Sequence, residues 1–205
     1  MSRIVLASAS PRRHSLMKQI NLDCTIAPAD IDESEVPVSS PEKYTLELSL
    51  QKARKVSPSF TDHLIIAADT VVAFEGRILG KPQTPQQAAD YLRLLSGNTH
   101  YVTTGVSMLL SGTSEVMKIR QFYVTTSVMF DDLDEELIDN YIATGSPMDK
   151  AGAYGIQDDW GALLVSQIHG DYYNVVGFPI NRFYNELRSF APRFLPKPGF
   201  NQLIS

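Results

Sequence analysis

The stretch RIVLASASPRRHSLMKQ, residues 3–19, decides the fold class of this sequence. Its apolar run from Ile4 to Leu6 predicts a short buried strand. Ser10 followed by Pro11 is typical of a helix start, because serine caps well and proline suits the first helical position. A strand that passes directly into a helix is the basic unit of an α/β protein.

The rest of the sequence repeats this alternation, which predicts one α/β domain. On the helix that starts at Ser40-Pro41, we expect Leu46, Leu50 and Ala53 to form one apolar stripe. The strands are predicted at residues 22–27, 64–68, 71–74, 77–79, 101–110 and 115–130, with a hairpin turn at 111–114. Helices are predicted from 40 to about 56, 84–97, 132–145 and from about 179.

Composition places the sequence among ordinary globular proteins. It has 205 residues, of which 43% are hydrophobic and 20% charged, enough to bury a core. We expect one domain over residues 1–191 and a loose tail over residues 192–205, which contain three prolines and a glycine. No segment approaches the roughly 18 apolar residues of a membrane span, and arginines interrupt any signal-peptide core. A cytoplasmic protein with no membrane association is therefore expected.

The net charge and the cysteine content argue against some classes of protein function. The net charge of −5 argues against stable nucleic-acid binding, for which a basic surface is typical, but permits a local basic pocket for a small anion. Cys24 is the only cysteine, which excludes an intrachain disulfide and a thiolate zinc cluster. Cys24 could be catalytic, but a buried structural thiol is the favoured interpretation.

The first helix start carries the groups that would bind an anion. Ser8, Ser10, Arg12 and Arg13 surround a helix N-terminus, where free N–H groups and the helix dipole favour negative charge. Two arginines in a first turn are unfavourable unless an anion compensates them, so a triphosphate site is predicted. The alternative is a capped helix with two solvated arginines.

Two acidic residues could bind a metal ion or activate water. Asp69 follows a buried apolar run, and Glu33 lies in an acidic loop. Mg²⁺ is typically bound by one or two carboxylates together with phosphates and water, and a carboxylate can also deprotonate an attacking water. The alternatives are a turn cap for Asp69 and a solvated loop acid for Glu33.

Two lysines and one glutamine complete the candidate residues. Lys52 lies one turn after Leu48 and could face inward, and Lys81 stands in GKP, residues 80–82; either could neutralise a phosphate. Gln157 ends the glycine-rich stretch at 149–157 and carries the donors and acceptor needed to bind a nucleobase edge. The alternatives are surface lysines and a simple turn. Residues 76–82 are not a P-loop, because the spacing is one residue short and proline replaces the required serine or threonine.

In combination these motifs resemble the Maf family of nucleotide pyrophosphatases. They occur in the family's order over about residues 3–190. The matching stretches are LASASPRR (6–13), KA (52–53), ADTVV (68–72), GKP (80–82), DKAGAYGIQ (149–157) and GDYYNVVG (170–177).

The resemblance implies a fold and an activity. The fold would be a mixed, twisted α/β sheet with two lobes around a central cleft, as in the inosine-triphosphatase group. The activity would be hydrolysis of dTTP or UTP to the monophosphate and pyrophosphate, dependent on Mg²⁺ or Mn²⁺, and a homodimer is suggested. The alternatives are a phosphatase that releases orthophosphate and a non-catalytic nucleotide-binding regulator of cell division.

The resemblance also implies roles for individual residues. Asp69 would be the proton acceptor, with Glu33 as the second acid at the metal. Arg12, Thr70 and Gln157 would select the substrate, and Arg13, Lys52 and Lys81 would contact phosphate. The sequence departs from the family pattern at Ser146, where glutamate is frequent, and at Asp158, where glycine is usual. Asp158 could reshape the base pocket.

Overall fold

The computed structural model describes residues 3–33, 36–37, 40–112, 118–158 and 160–196. Seven strands and six α-helices alternate in this part of the chain, so the predicted α/β class is confirmed. The strands are β1 (Ile4–Leu6), β2 (Thr25–Ile26), β3 (Leu64–Phe74), β4 (Arg77–Leu79), β5 (Thr99–Leu110), β6 (Lys118–Phe130) and β7 (Val165–His169). The helices are α1 (Pro11–Gln19), α2 (Pro41–Val56), α3 (Pro85–Leu95), α4 (Glu135–Ala143), α5 (Tyr172–Val176) and α6 (Ile180–Phe190).

All seven strands join one mixed sheet in the order β2-β1-β3-β5-β6-β7, with β4 added beside β3. Strand β1 is parallel to both β2 and β3. The remaining pairings, β3 with β4 and β5, β5 with β6, and β6 with β7, are antiparallel. The predicted mixed sheet is therefore confirmed, with parallel strands confined to its first half.

The two faces of the sheet carry different layers, because successive side chains of a strand point in opposite directions. On one face, Ile65 and Ala67 of β3 pack with Ala53 of α2. On the other face, Leu64 and Ile66 belong to the larger core, to which α1, α3, α4 and α6 contribute. Helix α2 thus packs on one face of β3 and β5.

The stripe predicted for α2 was wrong at Leu46 and Leu50 but right at Ala53, which is buried in this helix. Its buried side chains include Thr45, Leu48 and Ser49, whereas Leu46 and Leu50 are only half-buried. The hydroxyl of Ser49 lies 2.8 Å from the hydroxyl of Ser107 on β5. Small, hydrogen-bonded side chains let the helix approach the sheet closely, so Thr45 and Ser49 share the buried face with Leu48, where apolar periodicity predicted Leu46 and Leu50.

Strand β3 is longer than predicted, and its length creates the central cleft. The sequence suggested that Asp69 and Thr70 end a strand, but β3 runs unbroken from Leu64 to Phe74. Strand β1 pairs with its start and β4 with its end. Among the described residues, no strand pairs with residues 67–71 on this side of β3. Asp69 and Thr70 therefore lie in a gap between two neighbouring strands.

Most local predictions agree with the structure, and the differences have local causes. Glu75 and Gly76 form the predicted turn, both with positive φ, as tight hairpin turns require. Helix α4 begins two residues later than predicted, because Asp134 rather than Asp132 caps it. Strand β2 is shorter than expected. Strand β7 and helix α5 were not predicted.

Three further points concern the chain's turns and end. The predicted turn at 111–114 and the start of the strand at 115 fall partly outside the described residues. After Ala191, a 3₁₀ turn at Pro192–Phe194 places Phe194 in the core, so the chain stays packed beyond the predicted boundary. Residues 197–205 of the predicted tail lie outside the described residues. No described helix has the length and apolar character to cross a membrane.

Candidate active site

A cleft of about 600 Å³ opens at the gap beside β3. Every residue predicted for the site contributes to its lining. The predicted residues lining the cleft are Ser8, Ser10, Arg12, Arg13, Glu33, Lys52, Asp69, Thr70, Lys81 and Gln157. Residues that are separated by up to 149 positions in sequence are thus brought together by the sheet.

Lys52 connects the two predicted acids. Its Nζ lies 2.6 Å from Asp69 Oδ1 and 2.8 Å from Glu33 Oε1. The side chains of Lys52 and Asp69 are nearly buried, at 13% and 11% exposure, whereas Glu33 is 53% exposed. The predicted inward orientation of Lys52 is confirmed, and the structure adds that this lysine binds both carboxylates.

The carboxylates of Glu33 and Asp69 fit a hard divalent cation. Each carboxylate gives one oxygen to the Lys52 ammonium, which brings the two acids side by side in the cleft. The described residues contain no group of three or more metal-ligating side chains. Two neighbouring carboxylates are the protein ligands that Mg²⁺ commonly uses when substrate phosphates and water complete its shell. The donor set therefore suits a cation that arrives with a polyphosphate.

Arg13 is fixed at the floor of the cleft by neutral acceptors. Its guanidinium donates to the carbonyl oxygen of Gly177 at 3.0 Å, to Thr70 Oγ1 at 3.0 Å and to Ser8 Oγ at 3.3 Å. Burial lowers the pKa of this guanidinium. No carboxylate forms an ion pair with Arg13 in the described part of the chain. A buried cation with neutral partners is suited to an anionic ligand.

The N-terminus of α1 offers fewer free amides than the sequence suggested. The N–H of Ser10 donates to Ser8 Oγ at 3.2 Å, and the N–H of Arg13 donates to Ser10 Oγ at 3.5 Å. Pro11 has no N–H. The two serines therefore organise the turn itself, and the positive charge of this region comes mainly from the guanidiniums.

The opposite end of the cleft is formed by the glycine-rich stretch. Arg12 pairs with Asp149 at 3.1 Å, and Asp149 also accepts a hydrogen bond from Lys150 at 2.6 Å. Burial raises the pKa of Asp149, but these two cations outweigh it and lower the pKa overall. Gln157 is exposed on the cleft, and its Nε2 donates to Asp158 Oδ1 at 2.8 Å.

Two features of the site were not predicted from the sequence. The first is Lys150, which is 8% exposed and whose ammonium contacts Ser146, Asp149 and Asp158. Its position next to Asp149 in a glycine-rich stretch was the one feature of the sequence that could have indicated this role. Thr70 Oγ1 lies 2.9 Å from Thr104 Oγ1 on β5, a contact that only the strand register could reveal.

Cys24 does not take part in the site. It is half-buried, and its thiol contacts the carbonyl oxygen of Leu22 at 3.4 Å. Burial and the neighbouring Asp23 raise the pKa of the thiol to about 11, so it stays protonated at neutral pH. Because the thiolate is the nucleophile in cysteine chemistry, the structural interpretation of Cys24 agrees with its environment.

Comparison with known proteins places these residues in a family context. Residues 3–190 match the Maf family, described as Maf-like protein. A relative from Bacillus cereus, named dTTP/UTP pyrophosphatase, is 45% identical over 93% of this chain and 91% of its own length. A Bacillus anthracis protein of the same name is 44% identical over 93% of this chain and 96% of its own.

Solved structures with a related shape are more distant. The Ham1 protein of Staphylococcus aureus is 14% identical, with a TM-score of 0.44 over 94% of this chain and 93% of its own. A nucleoside-triphosphatase described as a dITP/XTP pyrophosphatase, from Mycobacterium abscessus, is 12% identical, with a TM-score of 0.41 over 97% and 99%. At these TM-scores the two likenesses carry no argument about function.

Proposed function

This chain belongs to the family of Maf-like proteins, and from that premise we propose that it hydrolyses dTTP and UTP to the monophosphate and pyrophosphate. The observation that carries the proposal is the pairing of Lys52 with Glu33 and Asp69 in a cleft that also holds Arg12 and Arg13. The names of the relatives supply the substrate class. Acids and cations side by side in one cleft support the proposal, because phosphoryl transfer needs both.

The triphosphate would bind along the cationic wall of the cleft. Arg13 is already oriented by three acceptors, so little side-chain freedom is lost when it contacts phosphate. Arg12, with 28% of its side chain exposed, and the exposed Lys81 also line the cleft. These cations offset the charge that develops on the departing pyrophosphate.

Asp69 would accept the proton of the attacking water. Its carboxylate has one oxygen on Lys52, which holds the group in place. The water oxygen forms the new bond to the α-phosphorus, the bond to the bridging oxygen breaks, and pyrophosphate leaves with the electron pair. The water proton passes to Asp69. Positioning and charge stabilisation then provide most of the rate.

Glu33 and Asp69 are the residues that would hold Mg²⁺ or Mn²⁺. The cation supplies neutralisation of phosphate charge when it is bound with the substrate. Thr70, fixed between Arg13 and Thr104, would contact the substrate beside the reacting phosphate. Gln157, at the other end of the cleft, would contact the base. A cytoplasmic location and a homodimer remain predictions from the sequence.

Replacement of Asp69 by asparagine tests this assignment. Asparagine keeps the shape and can still accept from Lys52, but it cannot take a proton, so kcat for UTP should fall by about 10²–10⁴-fold. Asp90→Asn is the matched control, because Asp90 forms only exposed contacts on α3. Wild-type kcat in a folded Asp69→Asn protein would overturn the role of Asp69 as proton acceptor.

A further inference from the structure

We infer that Asp158 determines base selectivity by fixing which end of the Gln157 amide faces the cleft. The inference rests on the proposed function and adds a positioning residue to it. Gln157 alone could present either a donor or an acceptor to a base, because its amide carries both groups. A contact outside the cleft must therefore choose between the two orientations.

The chemistry of the neighbour decides the orientation. Gln157 Nε2 lies 2.8 Å from Asp158 Oδ1. An ionised carboxylate can only accept hydrogen bonds, so it must receive the NH₂ end of the amide. The opposite orientation would place two acceptor oxygens against each other. Because one N–H of Nε2 is taken by Asp158 and Gln157 lines the cleft, we assign Oε1 to the base.

The carboxylate of Asp158 is itself fixed by donors on its other oxygen. Oδ2 lies 2.9 Å from Lys150 Nζ and accepts from Ser146 Oγ at 2.6 Å. The hydroxyl of Tyr141 approaches the same oxygen at 3.5 Å. Burial raises the pKa of Tyr141 to about 12, so this hydroxyl stays protonated. The three donors anchor one oxygen and leave Oδ1 for Gln157.

An acceptor at this point fits one class of base. Uracil and thymine present an N3–H donor between two carbonyl oxygens, whereas cytosine presents an unprotonated N3 acceptor beside an amino group. Oε1 of Gln157 can accept from N3–H, but it repels the N3 lone pair of cytosine. When the bound base covers this contact, two facing acceptors weaken nucleotide binding strongly, because each polar group is left without a hydrogen-bond partner. The geometry therefore favours UTP and dTTP over CTP.

The decisive variant is Asp158→Asn. Its amide must keep the oxygen toward Lys150, because an NH₂ group cannot accept from the ammonium. Its NH₂ group then faces Gln157, which turns over and presents Nε2 to the cleft. The ratio of kcat/KM for UTP to that for CTP should fall by about tenfold. Adding Gln157→Glu should restore much of the ratio, because one carboxylate oxygen then binds the new NH₂ and the other faces the cleft.

Ser146→Ala is the matched control. It removes a donor from Oδ2 of Asp158 and leaves the contact between Oδ1 and Gln157 intact. The UTP-to-CTP ratio should then stay at the wild-type value. Because both nucleotides are assayed on one preparation, partial unfolding of any variant lowers both kcat/KM values and leaves their ratio unchanged.

The outcomes separate this inference from the proposed function. Wild-type protein that cleaves UTP and CTP equally well, or an Asp158→Asn protein with an unchanged ratio, would overturn the orienting role while leaving the hydrolase assignment intact. Wild-type protein that cleaves neither would overturn the proposed function itself. A lowered ratio in Asp158→Asn that Gln157→Glu restores is the result expected if Asp158 orients the amide.

Discussion

The packing of α2 against β5 predicts that Gly105→Ala will impair both stability and catalysis. Gly105 lies opposite Asp69 in the strand register. A Cβ built on it would lie 2.5 Å from the carbonyl carbon of Thr45 and 2.6 Å from the nitrogen of Leu46. Ordinary carbon contacts begin near about 3.5 Å, so α2 must move by about 1 Å. Lys52 lies two turns further along this helix and would move with it.

The magnitude follows from this displacement. Overpacking of this kind costs about 1–3 kcal/mol, which corresponds to a melting temperature lower by about 3–9 °C in a chain of this length. A shift of about 1 Å in a positioned group can cost up to about 100-fold in rate, so kcat/KM for UTP should fall by about 10–100-fold. Differential scanning calorimetry and steady-state kinetics on the same protein measure both effects.

Gly80→Ala is the control for stability. It adds the same methyl group where no other atom lies within 4 Å of the new Cβ, so its melting temperature should stay within about 2 °C of the wild-type value. A Gly105→Ala protein with wild-type melting temperature and wild-type kcat/KM would refute the close approach of α2 to β5.

Three further predictions follow from single contacts. Lys150→Met leaves the Asp158 carboxylate without its ammonium partner and should lower the free energy of unfolding by about 2–4 kcal/mol in urea titrations. An added Asp158→Asn should recover part of this loss. If the effects of the two substitutions on the free energy of unfolding were strictly additive, the pairing would be contradicted. Burial lowers the pKa of His100 from 6.5 to about 4, so the unfolded chain binds the proton at a higher pH than the folded chain does. As the pH falls from 6.5 to 4, His100 should therefore lower the free energy of unfolding by about 1.4 kcal/mol per pH unit. Above pH 6.5 it should have no effect. His100→Gln should flatten this part of the stability profile relative to wild type, and an unaltered slope would contradict the burial of a neutral imidazole. Arg13→Lys should raise KM for UTP by about tenfold, because lysine lacks the planar set of donors that binds Gly177, Thr70 and phosphate together. An unchanged KM would contradict the phosphate contact.

Local signals made the helix starts and the tight turn predictable. Ser10-Pro11, Ser40-Pro41 and Thr84-Pro85 each begin a helix as expected, because capping depends only on neighbouring residues. The turn at Glu75-Gly76 was predictable for the same reason. The candidate site residues could be named because charged and amide groups stand out against apolar surroundings.

The remaining features depend on contacts between distant segments. Asp69 looked like the end of a strand because polar residues interrupt its apolar run, but pairing with β5 keeps the backbone extended through it. The buried face of α2 is set by Gly105 and Ser107, which lie far away in sequence. The link between Lys150 and Asp158 likewise required the fold. Apolar periodicity contains no information about such polar contacts.

The most direct test of the central claim is the identity of the products formed from UTP in ¹⁸O-labelled water, separated by ion chromatography with Mg²⁺ and with a chelator. The account predicts UMP and pyrophosphate in equal amounts, with the label in UMP, and loss of both products when the metal is chelated. Orthophosphate and UDP would show attack at the terminal phosphate and contradict the proposed role of Asp69. No product from UTP, dTTP, CTP or GTP would contradict hydrolysis altogether and favour a nucleotide-binding regulator.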